Sequence, residues 1–259
     1  MAKKITRTNQ SAEKILDIIE IMACNGGPMR LNDISQKSGM PQSTVFRMIN
    51  ALRVREYVHQ DEESAKYQLS MKFAYIGDMI NARFDLRDLA HKYMVRVAFN
   101  CKNVCYLAVE RQMELVYIDM VSPPGSVLTR MPFVGKHAPL HCSGIGRMIL
   151  SDFTEEKLDE YFETTNLDQY APKSLTDPVK IREKIAEIQE KGYSVCSEQL
   201  ENGNGSVAVG IRNYTGRIIA GISVGGPADQ LTEEYIQRVL PCIREAADKI
   251  SSKLFYKAL

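Results

Sequence analysis

No apolar run in the 259 residues approaches the roughly 20 needed to cross a bilayer, so no helical membrane span is expected. The opening run MAKKITRTNQ is positively charged but has no apolar stretch behind it, so a secretory leader is not expected either. The cytoplasm is the expected compartment. Cysteine is sparse, with Cys24, Cys101, Cys105, Cys142, Cys196 and Cys242 scattered through a long chain. Disulfide frameworks belong to short secreted domains, so these read as reduced thiols. Cys101 and Cys105 fit neither a C-x-x-C redox motif nor a zinc knuckle; on a helix their spacing would place both on one face, as buried apolar thiols.

Also missing are a Walker loop, a G-x-S-x-G elbow, an H-E-x-x-H helix and a complete dinucleotide fingerprint. Only four histidines exist, and none has a nucleophile partner in sequence. The expectation is therefore a non-enzymatic protein without a cofactor. The alternative is an enzyme using scattered carboxylates and carrying an accessory DNA-binding module. His137, His141 and Cys142 were weighed as a zinc set, but Pro139 interrupts the helix that H-x-x-x-H spacing needs, and no fourth ligand is evident. No internal repeat and no low-complexity tract is present.

What is there divides into two parts. The chain has 44% hydrophobic and 25% charged residues, ordinary for a soluble fold, and a length suited to two domains. Its net charge of +1 separates on division: residues 1–60 hold nine Lys/Arg against five Asp/Glu, while the remainder is mildly acidic. A basic N-terminal module suits contact with phosphate.

Ala12, Ile15, Leu16, Ile19 and Met22 recur at helical spacing and give a first helix, ended by Asn25-Gly26-Gly27-Pro28. A short helix from Leu31 to about Lys37 follows, turned at Ser38-Gly39-Met40. Pro41 opens a third helix to about Val54. Val45, Met48, Ile49 and Leu52 form its apolar stripe; Gln42, Ser43, Thr44, Phe46, Arg47 and Asn50 lie elsewhere on it. Two short strands, 57–60 and 66–69, flank an acidic tip of Asp61, Glu62 and Glu63. Helix, helix-turn-helix and hairpin make the winged helix plan. In that plan Arg47 meets a guanine edge or a phosphate, Gln42 and Asn50 read adenine, and Ser43 holds a phosphate, unless the face is merely solvated.

A helix over 71–84 leaves this module without a flexible linker, and another covers 86–100. Strands follow at 104–110, 115–122 and 127–131, then helices near 143–150 and 154–162. Asp177-Pro178 opens a helix to Lys191 that Gly192 closes. Strands at 194–198, 207–212 and 218–224 precede a last helix over 232–254, which Pro241 is expected to kink or whose regular part it is expected to delay.

Three segments together resemble the IclR family of regulators: GMPQSTVFRMINALRVREYV in the DNA-binding module, GKHAPLHCSGIGRMIL in the centre, and GYSVCSEQLENGNGSVAVGIRNYTGRIIAGISVGGP near the end. The resemblance implies an α+β chain. A winged helix-turn-helix (1–70) and a helical linker (71–84) would precede a C-terminal α/β, GAF/profilin-like effector-binding and oligomerisation domain (85–259). It implies a homodimer or homotetramer on double-stranded, pseudo-palindromic operator DNA, answering to a small organic acid. Effector-binding positions carry over as Gly144, Ile145, Cys196, Ser206, Ser223 and Gly225. Cys196 stands where keto-acid-binding members have an acidic residue, Ser206 where they have cysteine, and Gly225 where they have a serine. The residues fit: small groups at His141-Cys142-Ser143-Gly144 would expose amides at a helix start, and the serines would meet remaining oxygens. The alternative is that the glycines serve helix–sheet packing and the serines are satisfied internally.

Overall fold

The computed structural model describes residues 9–81, 85–125 and 134–256, and divides them into two compact units that part after Phe84. The strand expected at 127–131 lies outside the described residues.

In the N-terminal unit, α1 (Gln10–Asn25) starts at Asn9, whose side chain accepts from the amides of Ser11 and Ala12, and ends on left-handed Gly26. Its buried centre is Ile18, with Met22, while Leu16 is 56% exposed. The expected stripe was therefore rotated: Ile18 lies one position from both Ile19 and Asp17, and a run of five apolar residues (Ile15, Leu16, Ile18, Ile19, Ile21) leaves the helical phase ambiguous. α2 (Leu31–Ser38) and α3 (Gln42–Val54) pack against it through Ile34, Val45, Met48, Ile49 and Leu52, all buried. β1 (Val58–Gln60) and β2 (Tyr67–Leu69) pair antiparallel, and Met29 exchanges backbone hydrogen bonds with Tyr67 at 2.9 and 2.7 Å. That bridge pins the loop before α2 to the hairpin. α4 (Lys72–Asn81) follows; none of its residues 72–80 is buried.

The C-terminal unit is built on a six-stranded sheet ordered β5-β4-β3-β8-β7-β6, with neighbours antiparallel throughout. Its strands are β3 (Val104–Arg111), β4 (Glu114–Val121), β5 (His137–Pro139), β6 (Ser194–Ser197), β7 (Asn204–Arg212) and β8 (Ile218–Pro227). On one face lie α5 (Leu86–Cys101) and α9 (Glu233–Lys253), burying Met94, Val97, Leu107, Val209, Ile222, Val239 and Ile243 in one core. On the other lie α6 (Gly144–Leu150), α7 (Glu155–Thr164) and α8 (Pro178–Lys191), burying Leu140, Ile149, Leu158, Tyr161, Ile181 and Ile185. Caps set the helix starts: Asp85, Ser143, Thr154, Asp177 and Thr232 each accept a first-turn amide.

One expectation needs correction, and one strand is added to those expected. Cys101 ends α5 whereas Cys105 sits in β3, so they share no helix face, although both are buried. β5 was unforeseen, because three residues carry no period. α9 runs through Pro241 as one helix, with Pro241 on its exposed side.

Candidate functional site

Two separate sites emerge, one in each unit. In the first, the turn between α2 and α3 is tight because Gly39 takes a left-handed φ of 65° and Ser35 donates to the Met40 carbonyl at 2.6 Å. Met40 is thereby buried, and the chain enters α3 at Pro41 with its polar face outward. Gln42, Ser43, Phe46 and Arg47 are exposed, while Thr44 and Asn50 are half-buried at the edges of that face. Phe46, 45% exposed, is the apolar member of the set. Two members are already engaged: Gln42 donates to Asn32 at 2.8 Å, and Asn50 accepts from Arg53 at 3.5 Å. Arg53 and Asn32 were missed by sequence reasoning and frame this face. At the hairpin tip Asp61 accepts from the amide and hydroxyl of Ser64 at 2.8 and 2.5 Å. Those bonds hold its carboxyl below the usual range, so the tip keeps its negative charge.

In the second unit, register does what sequence distance conceals. Cys196 pairs with Ser206, Ser206 with Gly225, and Gly225 with Val104, one rung across β6, β7, β8 and β3. The next rung on the same face is Ser194, Ala208, Ser223 and Tyr106. Above these rungs stands the start of α6. Between them lies a cavity of about 320 Å³. Gly144, Ile145, Cys196, Ser206, Ser223 and Gly225 all line it, together with Tyr106, Tyr117, Cys142, Asn204 and Leu200, which sequence reasoning missed.

The small residues are required by close approach. A Cβ on Gly144 would sit 2.8 Å from the Ser206 hydroxyl, and one on Gly221 would sit 2.4 Å from Ile145 Cγ2. Gly225 has its own reason: a Cβ there would lie 3.0 Å from the Tyr106 ring, which stacks edge-on to Tyr117 at 5.7 Å. The glycine thus makes room for an aromatic wall. Glycine packing and cavity formation are therefore one arrangement, not rival readings.

The polar side chains that line the cavity include Asn103, Glu201, Asn204, Ser206 and Ser223. Ser223 is 3% exposed and has no hydrogen-bond partner among the described residues. Nδ2 of Asn204 is buried and likewise unpartnered. Cys196 donates to the Cys142 carbonyl at 3.1 Å. Burial pushes the Cys142 thiol up to about 11 and raises that of Cys196 as well, so both stay protonated near neutrality.

His137 and His141 turn to different partners. His137 is exposed on β5 and meets Glu114 at 2.6 Å; His141 is buried and meets the Tyr161 hydroxyl at 2.8 Å. Among the described residues no three His, Cys, Asp or Glu side chains are grouped to hold a metal. None of the described helices is long and apolar enough to cross a membrane.

A helix-turn-helix unit with an exposed polar face on its second helix, joined in one chain to a unit that carries a small half-open cavity, fits a ligand-responsive transcription regulator. Residues 11–62 match the IclR helix-turn-helix domain, and residues 80–252 match the family described as bacterial transcriptional regulator IclR C-terminal. The chain belongs to the IclR family, and is a DNA-binding transcription regulator with a C-terminal effector-binding domain. It is 28% identical over 249 residues to the HTH-type transcriptional repressor AllR of Escherichia coli K12, covering 96% of this chain and 92% of that one. The crystal structure of the Thermotoga maritima IclR superposes with a TM-score of 0.64 at 28% identity, over 95% of this chain and 99% of that one. An IclR homolog from Microbacterium hydrocarbonoxydans, complexed with 4-hydroxybenzoate, shares the fold at a TM-score of 0.59 and 24% identity, over 95% and 99% of the two chains.

Proposed function

We propose that the cavity holds a small organic acid and that its occupancy governs binding of α3 to operator DNA. The observation that carries this reading is the convergence of Gly144, Ile145, Cys196, Ser206, Ser223 and Gly225 on one half-open cavity. At about 320 Å³ it lies at the small end of ligand sites, with aromatic walls and a few unpartnered polar groups. The relative carrying 4-hydroxybenzoate supports a ligand of that size. Ser223 and Asn204 supply hydrogen bonds to ligand oxygens, and the cavity thiols serve as walls, not nucleophiles, because burial keeps them protonated.

On the DNA side, Gln42, Ser43, Thr44, Phe46, Arg47 and Asn50 face the major groove, with Arg47 the principal cation. The chain works as a homodimer or homotetramer in the cytoplasm, on half-sites about one helical turn apart. Support for assembly comes from α4, which leaves Tyr75, Met79 and Ile80 exposed, an apolar surface that a second copy would cover. The relatives named as repressors favour repression as the sign of control. Effector shifts the population between two arrangements of the assembled chains, and the affinity for operator follows.

The test is a thermal-shift screen of the full chain against small organic acids and sugars, followed by operator titration with any hit. A concentration-dependent rise in midpoint that also changes operator affinity is the expected result. A ligand that stabilises the protein without altering DNA binding would remove the regulatory half of the proposal.

A further inference from the structure

Arg147 is a fully buried cation with no acidic partner among the described residues. It lies on α6, three residues past Gly144. Its Nη1 donates to Gln199 Oε1 at 2.6 Å and its Nη2 to the Val195 carbonyl at 2.8 Å. Its Nε is buried and has no partner. Both acceptors are neutral, so the guanidinium is hydrogen-bonded but its charge is not cancelled. A buried charge in that condition is costly unless a counter-charge is supplied.

The place where one can be supplied is adjacent. Val195 precedes Cys196 in β6, and the Cys196 thiol lies 3.9 Å from the same Gln199 oxygen that accepts from Arg147. Cys196 is cavity wall. The positive charge therefore stands one side-chain layer behind that wall, and it draws the thiols of both Cys196 and Cys142 downward against the opposing effect of burial.

We propose that Arg147 makes the Cys196–Gly144 side of this cavity select anions, against the Glu201 carboxylate that also lines it: a ligand carboxylate seated against Cys196 and Gly144 supplies the counter-charge that Arg147 lacks among the described residues. The inference rests on reading the cavity as the effector site and adds the residue that sets its charge preference. Arg147 touches no ligand; it acts through the Cys196 wall as a positioning and specificity-determining residue. With one side-chain layer between the charges and an effective dielectric of about 20, one unit charge favours an anion over its neutral isostere by at least about tenfold.

The probe pair is iodoacetate and iodoacetamide, near-isosteres differing in charge, with alkylation rates read separately at Cys196, Cys142 and exposed Cys24 by peptide mass spectrometry. Both reagents react through the same thiolate, so their rate ratio is independent of how far each thiol is ionised. In the native chain the iodoacetate-to-iodoacetamide ratio is expected to be at least about tenfold higher at Cys196 than at Cys24. Arg147→Lys should keep most of that bias, and Arg147→Met should bring it to the Cys24 value. Equal ratios at Cys196 and Cys24 in the native chain would overturn the inference, as would an unchanged ratio in folded Arg147→Met. If Arg147→Met does not fold, the native comparison and the Lys variant decide. Labelling of Cys196 by both reagents without bias removes the role of Arg147 and leaves the cavity reading intact. Where the protonated Cys196 thiol reacts with neither reagent, thermal shifts of the native chain with benzoate and benzamide decide instead: a larger shift with benzoate that Arg147→Met abolishes is expected, and equal shifts, or none with either, overturn the inference.

Discussion

Two helical glycines allow opposite predictions from the same substitution. Gly77 in α4 has nothing within 4 Å of an added Cβ. Alanine there gains helix propensity and loses unfolded-state freedom, so Gly77→Ala should stabilise by about 0.5–1 kcal/mol. Gly146 in α6 is different. A Cβ would meet the Leu140 carbonyl oxygen at 2.3 Å, Leu140 Cα at 2.5 Å and the Ser143 hydroxyl at 2.5 Å. Two of those atoms are backbone, and the third is the helix cap that accepts from the Gly146 amide at 2.9 Å. Overpacking of this kind costs up to about 3 kcal/mol, against a propensity gain of about 1, for a net loss of about 2 kcal/mol. Relief requires α6 to move from the 140–143 turn, which shifts Gly144 and Ile145 within the cavity wall. Gly146→Ala should therefore also weaken any cavity ligand. Denaturant unfolding by circular dichroism, with hydrogen exchange to tell which unit opens, measures both variants. A Gly146→Ala chain as stable as the parent would refute the close-approach argument for the whole α6–sheet contact.

Ser223→Ala removes a buried hydroxyl without a protein partner, so stability of the free chain should be unchanged or slightly raised, while ligand affinity falls about fivefold to tenfold. Isothermal titration beside thermal melts separates the two effects, and a parallel drop in both would mark Ser223 as structural. Arg47→Ala should weaken operator binding by about 1–3 kcal/mol. Loss on the specific site alone marks a base contact, whereas equal loss on all sequences with a shallower salt slope marks a phosphate contact. Burial lowers the His141 pKa below its ordinary 6.5, so the folded chain resists protonation there more than the unfolded chain does. Stability is then full above 6.5 and declines as pH falls through that value toward the lower folded pKa. Urea midpoints across this range should show a drop that His141→Gln flattens; an identical drop in the variant would assign it elsewhere.

Much of the fold was readable because it depends on local signals. The stripe Val45, Met48, Ile49 and Leu52 is buried as its period requires, and the Asp177-Pro178 start and Gly192 stop bound α8 as read. Where several phases were open, locality failed. Ile18 and not Leu16 lies at the centre of α1, because the choice among adjacent apolar residues is made by α2 and α3 packing against it. The pairing of Cys101 with Cys105 on one face presumed a continuous helix, but the chain turns at Lys102, which takes a left-handed φ of 54°.

By itself the sequence determined the two-part plan, the reading face of α3, the caps, and through resemblance the positions Gly144, Ile145, Cys196, Ser206, Ser223 and Gly225. These are properties of neighbouring residues or of motif, and they survive without coordinates. The tertiary structure alone decided that those six positions meet at one cavity, since Cys196, Ser206 and Gly225 align only through strand register. It alone gave Gly225 its reason, the ring of Tyr106 from a strand more than a hundred residues away. It also showed that Arg147, an ordinary basic residue in sequence, is buried without a counter-charge among the described residues. Burial and charge compensation are sums over neighbours brought from across the chain, and no local pattern contains them.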